Sequence, residues 1–211
     1  MPILLGALIA ILLFSGGTIV KNKVEEKIEE NEIVQSDSFT RWDELFLKYA
    51  KKYSVPFIWL KAIAMNESSL GEFPTVAHGL SVPSDREGSK SQDGLSWGLM
   101  QVTEKTGRDF DSSCNYYKLN DAEYSINIAA QYLARAKRSF AFISSDFEKY
   151  VIMSYNAGVQ RVLWEISGEY NNFSKAKFDA HRSAIENATV YYDRYVRNQS
   201  IVLSRQTELL G

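Results

Sequence analysis

Apolar residues recur along most of this chain at helical spacing, and nowhere do they alternate long enough to demand a strand. The longest apolar run outside the extreme N-terminus is PFIWLKAIAMNESSLG, Pro56 to Gly71. Pro56 suits a first helical position and Ser54 a cap before it. Leu60, Ile63, Ala64 and Glu67 then fall at i, i+3, i+4 and i+7, so a glutamate points the way the core aliphatics point. Upstream, Phe39, Trp42, Leu45, Phe46 and Tyr49 predict an amphipathic helix reaching about Tyr53. Downstream, Asn120-Asp121-Ala122-Glu123 resembles a capping box opening a helix through Ile126, Ile128, Ala129, Tyr132, Leu133 and Ala136. Further helices are expected from about Asp146 to Asn156, closing at Gly158, and around Gln160 to Ile166. The last, about Ala180 to Leu203, places Ile185, Ala188, Tyr192, Tyr195 and Val196 on one face. Residues 72–94 break every period with Pro74, Gly79, Pro83, Ser84 and Gly88, and predict a long irregular loop. Its length suggests function or mobility rather than mere connection. The expected class is all-α, compact and not a simple bundle.

The N-terminus follows a different pattern. Met1 to Val20 contains no charged side chain, and Ile3 to Val20 is almost continuously apolar. At about 1.5 Å per residue this just crosses a hydrocarbon core of about 30 Å, so residues 1–20 are expected to form a transmembrane helix. No Lys or Arg precedes the run and no small-x-small cleavage site follows it, which favours a retained anchor over a cleaved signal peptide. Lys21 and Lys23 would keep the following side cytoplasmic by the positive-inside tendency, a conflict with an external domain that the sequence leaves open. Residues 21–37 read as a charged stalk, and residues 38–211 as the functional domain. The lipid membrane is therefore an expected partner, and a single-pass membrane protein the expected location.

Composition removes several classes of function. A net charge of −2, with no basic patch, gives no case for nucleic acid. One cysteine, Cys114, excludes an intrachain disulfide, and only two histidines, His78 and His181, make a His- or Cys-based metal site implausible. Four Asn-x-Ser/Thr sequons, at Asn66, Asn172, Asn187 and Asn198, read as chance, since a glycan on Asn66 would crowd Glu67.

Glu67 is the candidate for chemistry. Burial penalises the charged form of a carboxyl group, and the negative end of its helix pushes the same way. A glutamate still protonated near neutral pH is what a general acid needs. Standing alone, however, it would more often be a solvated surface residue. Three short pieces change that: Glu67-Ser68, then Ser96-Trp97-Gly98-Leu99-Met100-Gln101-Val102, then Ser154-Tyr155-Asn156-Ala157-Gly158.

In that order these pieces resemble the motifs of the soluble lytic transglycosylases, goose-lysozyme-like members of glycoside hydrolase family 23. The resemblance runs from about Phe39 to Arg197 and includes the N-I-A-x-x-Y-L run at Asn127 to Leu133. Singly, Glu-Ser and Tyr-Asn-Ala-Gly are weak; in order, with helices where the period puts them, they are a strong signal. Glu67 and Gln101 lie further apart than the family pattern leads one to expect, the excess being the 72–94 segment.

The resemblance implies a lysozyme-like helical domain acting on the glycan strands of peptidoglycan at the β-1,4 bond between N-acetylmuramic acid and N-acetylglucosamine. It implies no cofactor and no metal. Glu67 would protonate the glycosidic oxygen, then accept the proton of the muramoyl 6-hydroxyl as that oxygen closes on C1. Ordinary glycosidases use two carboxyl groups, and no second acid stands at a recognisable spacing here. By position, Ser96, Met100, Gln101, Tyr155 and Asn156 are substrate-binding or orienting candidates, with Ser68 and Tyr132 beside them. Each also has a plainer reading: Met100 as core filler, Gln101 as a loop brace, Tyr155 and Tyr132 as packed aromatics. Two other functions stay open, a lysozyme-type hydrolase on the same fold and an inactive peptidoglycan-binding membrane component. A setting within a virion or an envelope-spanning machine would supply further partners.

Overall fold

The computed structural model describes residues 39–71, 74–77, 80–83 and 95–210. The chain divides into two units, Met1–Arg41 and Trp42–Gly211. The span expected at 1–20 and the stalk at 21–37 lie outside the described residues. No described helix is long and apolar enough to cross a membrane.

The second unit is built from eight α-helices among the described residues. Helix α1, Asp43–Tyr53, carries Asp43 and Glu44 in its first turn and Lys51 and Lys52 in its last, so each end meets charge of the favourable sign. Ser54, expected to cap the next helix, instead closes α1 in a left-handed conformation with φ 54°. The following helix, α2 (Phe57–Ser68), takes Pro56 as its N-cap.

Helix α2 is the centre of the domain. The single-face reading is corrected here: Trp59, Leu60, Lys61, Ala62, Ile63, Ala64 and Ser68 are all buried, on more than one side of the helix. A helix that is apolar nearly all round belongs inside a helical assembly, and α2 is flanked by α1 and by the last helix. Even Lys61 is only 1% exposed; its Nζ donates to Asp43 Oδ2 at 2.9 Å, tying α2 to α1. Burial lowers the Lys61 pKa and raises that of Asp43, and the pairing opposes both shifts.

The region after α2 adds short strands to a mostly helical frame, and the irregular loop expected over 72–94 is corrected in part. Strands β1 (Pro74–Ala77) and β2 (Leu80–Pro83) pair antiparallel, with Pro74 opposite Pro83 and Ala77 opposite Leu80. A second hairpin joins β3 (Ser96–Trp97) to β4 (Val102–Thr103). Pairs of two to four residues are too short to show a period of two, and so they escape a pattern search. The fold is mostly helical with two small hairpins.

Helices α3 (Glu104–Arg108) and α4 (Tyr116–Leu119) are single turns, N-capped by Thr103 and Asn115. Helix α5 (Ala122–Ser139) is capped by Asp121, one residue later than a box on Asn120 requires, with the Asp121 side chain accepting from Tyr124 N. Glu123 is thereby released from a capping role. It accepts from Tyr49 OH at 2.8 Å and Lys48 Nζ at 2.5 Å, joining α5 to α1. Helices α6 (Phe147–Ala157) and α7 (Val159–Ser167) meet at Gly158.

The last helix, α8 (Lys175–Leu210), extends about 54 Å at the usual rise and packs mainly on α2 and α6. Its buried residues are His181, Ile185, Ala188, Tyr191, Tyr195 and Val202. The expected face was therefore rotated slightly. Tyr191 goes in, Tyr192 lies at the edge and Val196 is exposed.

Candidate active site

The site begins where α2 ends. Glu67 is half-buried one residue before the helix terminus. Ser69, Leu70 and Gly71 follow with φ of 49°, 60° and 87°, three successive left-handed residues that turn the chain away. Two of them are not glycine, and strain of this kind survives only where the surroundings over-determine the conformation. One such restraint is the bond from Trp42 Nε1 to Leu70 O at 3.1 Å. Another comes from Ser68. Its hydroxyl donates to Leu99 O at 2.7 Å and accepts from Gly71 N at 3.1 Å.

Leu99 belongs to the turn of the β3–β4 hairpin, Gly98 to Gln101. Gly98 has φ 72° and Gln101 φ 46°, and Gly98 O receives both the backbone N–H of Gln101 (3.1 Å) and its side-chain Nε2 (2.8 Å). The turn is held from both sides. Met100 N donates to Ser125 Oγ at 3.2 Å, and Met100 O accepts from Tyr155 OH at 2.8 Å. The S-W-G-L-M-Q segment is thus a rigid loop whose carbonyls anchor the groups around Glu67.

A partner of Glu67 comes from α8. Tyr191 OH donates to Glu67 Oε1 at 2.7 Å, and Tyr191 is only 2% exposed. Asn66 reinforces the same junction. Its Nδ2 donates to Tyr191 O at 3.1 Å, and its Oδ1 accepts from Asn198 Nδ2 at 2.6 Å. Tyr155 completes the cluster, meeting the Tyr132 ring edge-on at 5.5 Å. Tyr132 OH in turn donates to Ser154 O at 2.5 Å.

Burial pushes the phenolic pKa of both Tyr155 and Tyr191 well above the usual value, and the charge of Glu67 is the next cause for each. Both phenols therefore remain donors throughout the physiological range. Because the folded chain holds these protons more tightly than the unfolded one, stability is complete below the ordinary tyrosine value of 10.0 and falls as pH rises beyond it. Each phenol that stays protonated adds a loss of about 1.4 kcal/mol per pH unit above that point. Urea midpoints measured from pH 9 to pH 11.5 are expected to fall steeply, and less steeply in Tyr155→Phe. An unchanged slope in that variant would remove Tyr155 from the set.

Against this geometry the expected residues separate. Glu67 and Tyr155 belong to one cluster, with Ser68, Tyr132 and the main chain of Met100 bracing it. Ser68 (1% exposed) and Met100 (0%) are interior, so their expected contact with a sugar is corrected to a supporting role. Tyr132 is buried as well, its hydroxyl engaged by a carbonyl. The Gln101 amide braces its own turn. Ser96 is half-buried on β3 and Asn156 is exposed at the end of α6, so both are accessible to a ligand. Tyr191 was missed as a site residue. Its spacing, Ala188-Tyr191-Tyr195 at i, i+3 and i+7, was a usable signal, but Tyr192 fits the same period almost equally well.

The Glu67 carboxyl group is thus borne on a buried helix and held by a buried phenol beside a rigid hairpin turn. The transglycosylase SLT domain family matches residues 44–178, well over half of the chain, and the protein belongs to that family. The match includes Glu67, the hairpin turn and Tyr155; Tyr191 lies beyond it. A search of curated proteins finds no significant match. Family membership brings peptidoglycan as the substrate and transglycosylase cleavage as the general activity.

Proposed function

We propose that this protein is a peptidoglycan lytic transglycosylase in which Glu67 serves first as acid and then as base. The observation that carries the reading is the 2.7 Å bond from Tyr191 to Glu67 Oε1, beside a turn locked by Ser68 and Tyr155. With Oε1 accepting from a phenol that stays protonated, α8 orients the Glu67 carboxyl group for proton transfer.

Glu67 gives that proton to the oxygen linking C1 of N-acetylmuramic acid to N-acetylglucosamine, and the C1–O bond breaks. The muramoyl 6-hydroxyl oxygen then bonds to C1 while its proton passes to the Glu67 carboxylate. The acid is restored, no water is consumed, and the product carries a 1,6-anhydro end. Ser96 and Asn156, neither of them buried, and the amide oxygen of Gln101 would serve sugar hydroxyl and acetamido groups.

Mass spectrometry of muropeptides released from purified peptidoglycan tests the reaction. Anhydro ends are expected. Reducing ends would make the domain a hydrolase on the same scaffold, and no release with wall binding intact would make it a binding component.

Tyr191→Phe tests the site. Removing the hydrogen bond that stabilises the Glu67 carboxylate formed as its proton leaves is expected to lower kcat about 10- to 100-fold with little change in substrate affinity. An unaltered kcat would exclude Tyr191 from holding the acid.

The apolar run at residues 1–20 supports a membrane anchor, and residues 21–37 a stalk ahead of the catalytic domain, 38–211. Local opening of the wall, at a bacterial membrane or a virion, is the proposed setting. A fusion reporter is expected to place the domain outside the bacterial cytoplasm; permanent cytoplasmic location would overturn this setting.

A further inference from the structure

A stack of aromatic rings leads away from the hairpin turn. Trp97, at the end of β3, packs its ring 4.9 Å from that of Tyr116 at 34°. Tyr116 lies 3.9 Å from Tyr117 at 33°. Trp97 and Tyr116 are half-buried, whereas Tyr117 is 59% exposed.

The stack is fixed to the turn at its inner end. Helix α4, which carries both tyrosines, lies so close that a Cβ on Gly98 would come within 1.8 Å of Leu119 O. Trp97 directly precedes the turn whose carbonyls receive Ser68 and Tyr155. The rings are therefore positioned by the same backbone that positions the cluster around Glu67.

A single exposed aromatic residue calls for no explanation. Three in continuous contact, rigid at one end and open at the other, are different. Tyrosine offers large contact area with little flexibility to lose on binding. Its negative π face suits weakly positive C–H groups, and the C–H face of a pyranose ring supplies them. The surroundings are not strongly cationic: Lys118, the next residue, is engaged by Asp111 and Ser113. The C–H faces of the sugars in an extended glycan strand fit this surface.

We propose that Tyr117, backed by Tyr116 and Trp97, forms an outer stacking subsite for the glycan strand, beyond the sugars that flank the cleaved bond. This rests on the reading of the chain as a peptidoglycan-cleaving enzyme. It extends that reading to how the strand is gripped. Tyr117 stacks on a pyranose, and the more buried rings keep its plane fixed.

The test is binding of the full chain, carrying Glu67→Gln so that nothing is cleaved, to glycan strands freed of stem peptides. Adding Tyr117→Ala is expected to raise the apparent Kd about 3- to 10-fold, from the loss of one aromatic contact. Tyr117→Trp is expected to retain binding, and near-ultraviolet circular dichroism to show both variants folded. Unchanged affinity in Tyr117→Ala, or affinity that depends on the stem peptides alone, would overturn the subsite. Product analysis of the chain with Glu67 intact is a separate readout. A binding defect in Tyr117→Ala alongside an absence of cleavage products would leave the subsite standing and remove the enzymatic reading.

Discussion

Glu67→Gln is expected to lower muropeptide release by about 10²- to 10⁴-fold, the usual range for general acid–base catalysis. The substitution is nearly isosteric, and the amide oxygen can still accept from Tyr191 OH where Oε1 does now, at 2.7 Å. The bonds that tie α2 to α8 through Asn66, and to the hairpin through Ser68, do not involve the Glu67 side chain. The architecture of the site therefore survives, and what disappears is the proton. An amide can neither protonate the leaving oxygen nor take the proton of the 6-hydroxyl, so both halves of the reaction are lost together. Binding of glycan strands should stay close to that of the unaltered chain, because affinity for the sugars rests on other groups. Release measured by mass spectrometry, beside sedimentation with insoluble peptidoglycan, separates these effects. A variant retaining more than a tenth of the rate would show that the acid lies elsewhere.

The position of Glu67 near the end of a buried helix was legible from sequence because an apolar helical run and the ordered motifs downstream met there. What the period could not show was how completely α2 is enclosed. A buried Lys61 looks polar in any pattern, and only its bond to Asp43 makes its burial intelligible. The roles of Ser68, Met100 and Tyr155 were hidden for another reason. Ser68 and Tyr155 bond to the main-chain carbonyls of Leu99 and Met100, Met100 works through its own backbone N–H donating to Ser125 Oγ, and backbone atoms leave no signature in side-chain spacing.

Tyr191 was lost to a choice between neighbours. Tyr191 and Tyr192 sit about 100° apart on α8, and the period of Ile185, Ala188 and Tyr195 accommodates either within its width. The Asn66–Asn198 and Asn66–Tyr191 bonds settle the rotation, and both cross more than a hundred residues of sequence. The hairpin of β3 and β4 is a like case. Only two residues on each side pair, so the turn rather than the strands defines it.

Gly98→Ala is expected to destabilise the domain by roughly 2–6 kcal/mol, combining backbone strain with overpacking. The position has φ 72°, which a residue with a Cβ rarely adopts. It also has no room. The added carbon would sit 1.8 Å from Leu119 O and 2.8 Å from Leu119 C, both main-chain atoms that no rotamer change can move. Gly158 supplies the comparison, since its φ is 86° yet nothing lies within 4 Å of the Cβ it would gain. Gly158→Ala should therefore show strain alone, roughly 1–3 kcal/mol. For a domain of this size each kcal/mol lowers Tm by roughly 2–4 °C, so thermal unfolding resolves the two variants. Relief of the clash requires α4 or the turn to shift. Either movement displaces the Leu99 and Met100 carbonyls that hold Ser68 and Tyr155, so activity should fall further than the loss of folded protein explains. If Gly98→Ala were no less stable than Gly158→Ala, the close approach of α4 to the turn would be wrong, and with it the frame that fixes the groups around Glu67.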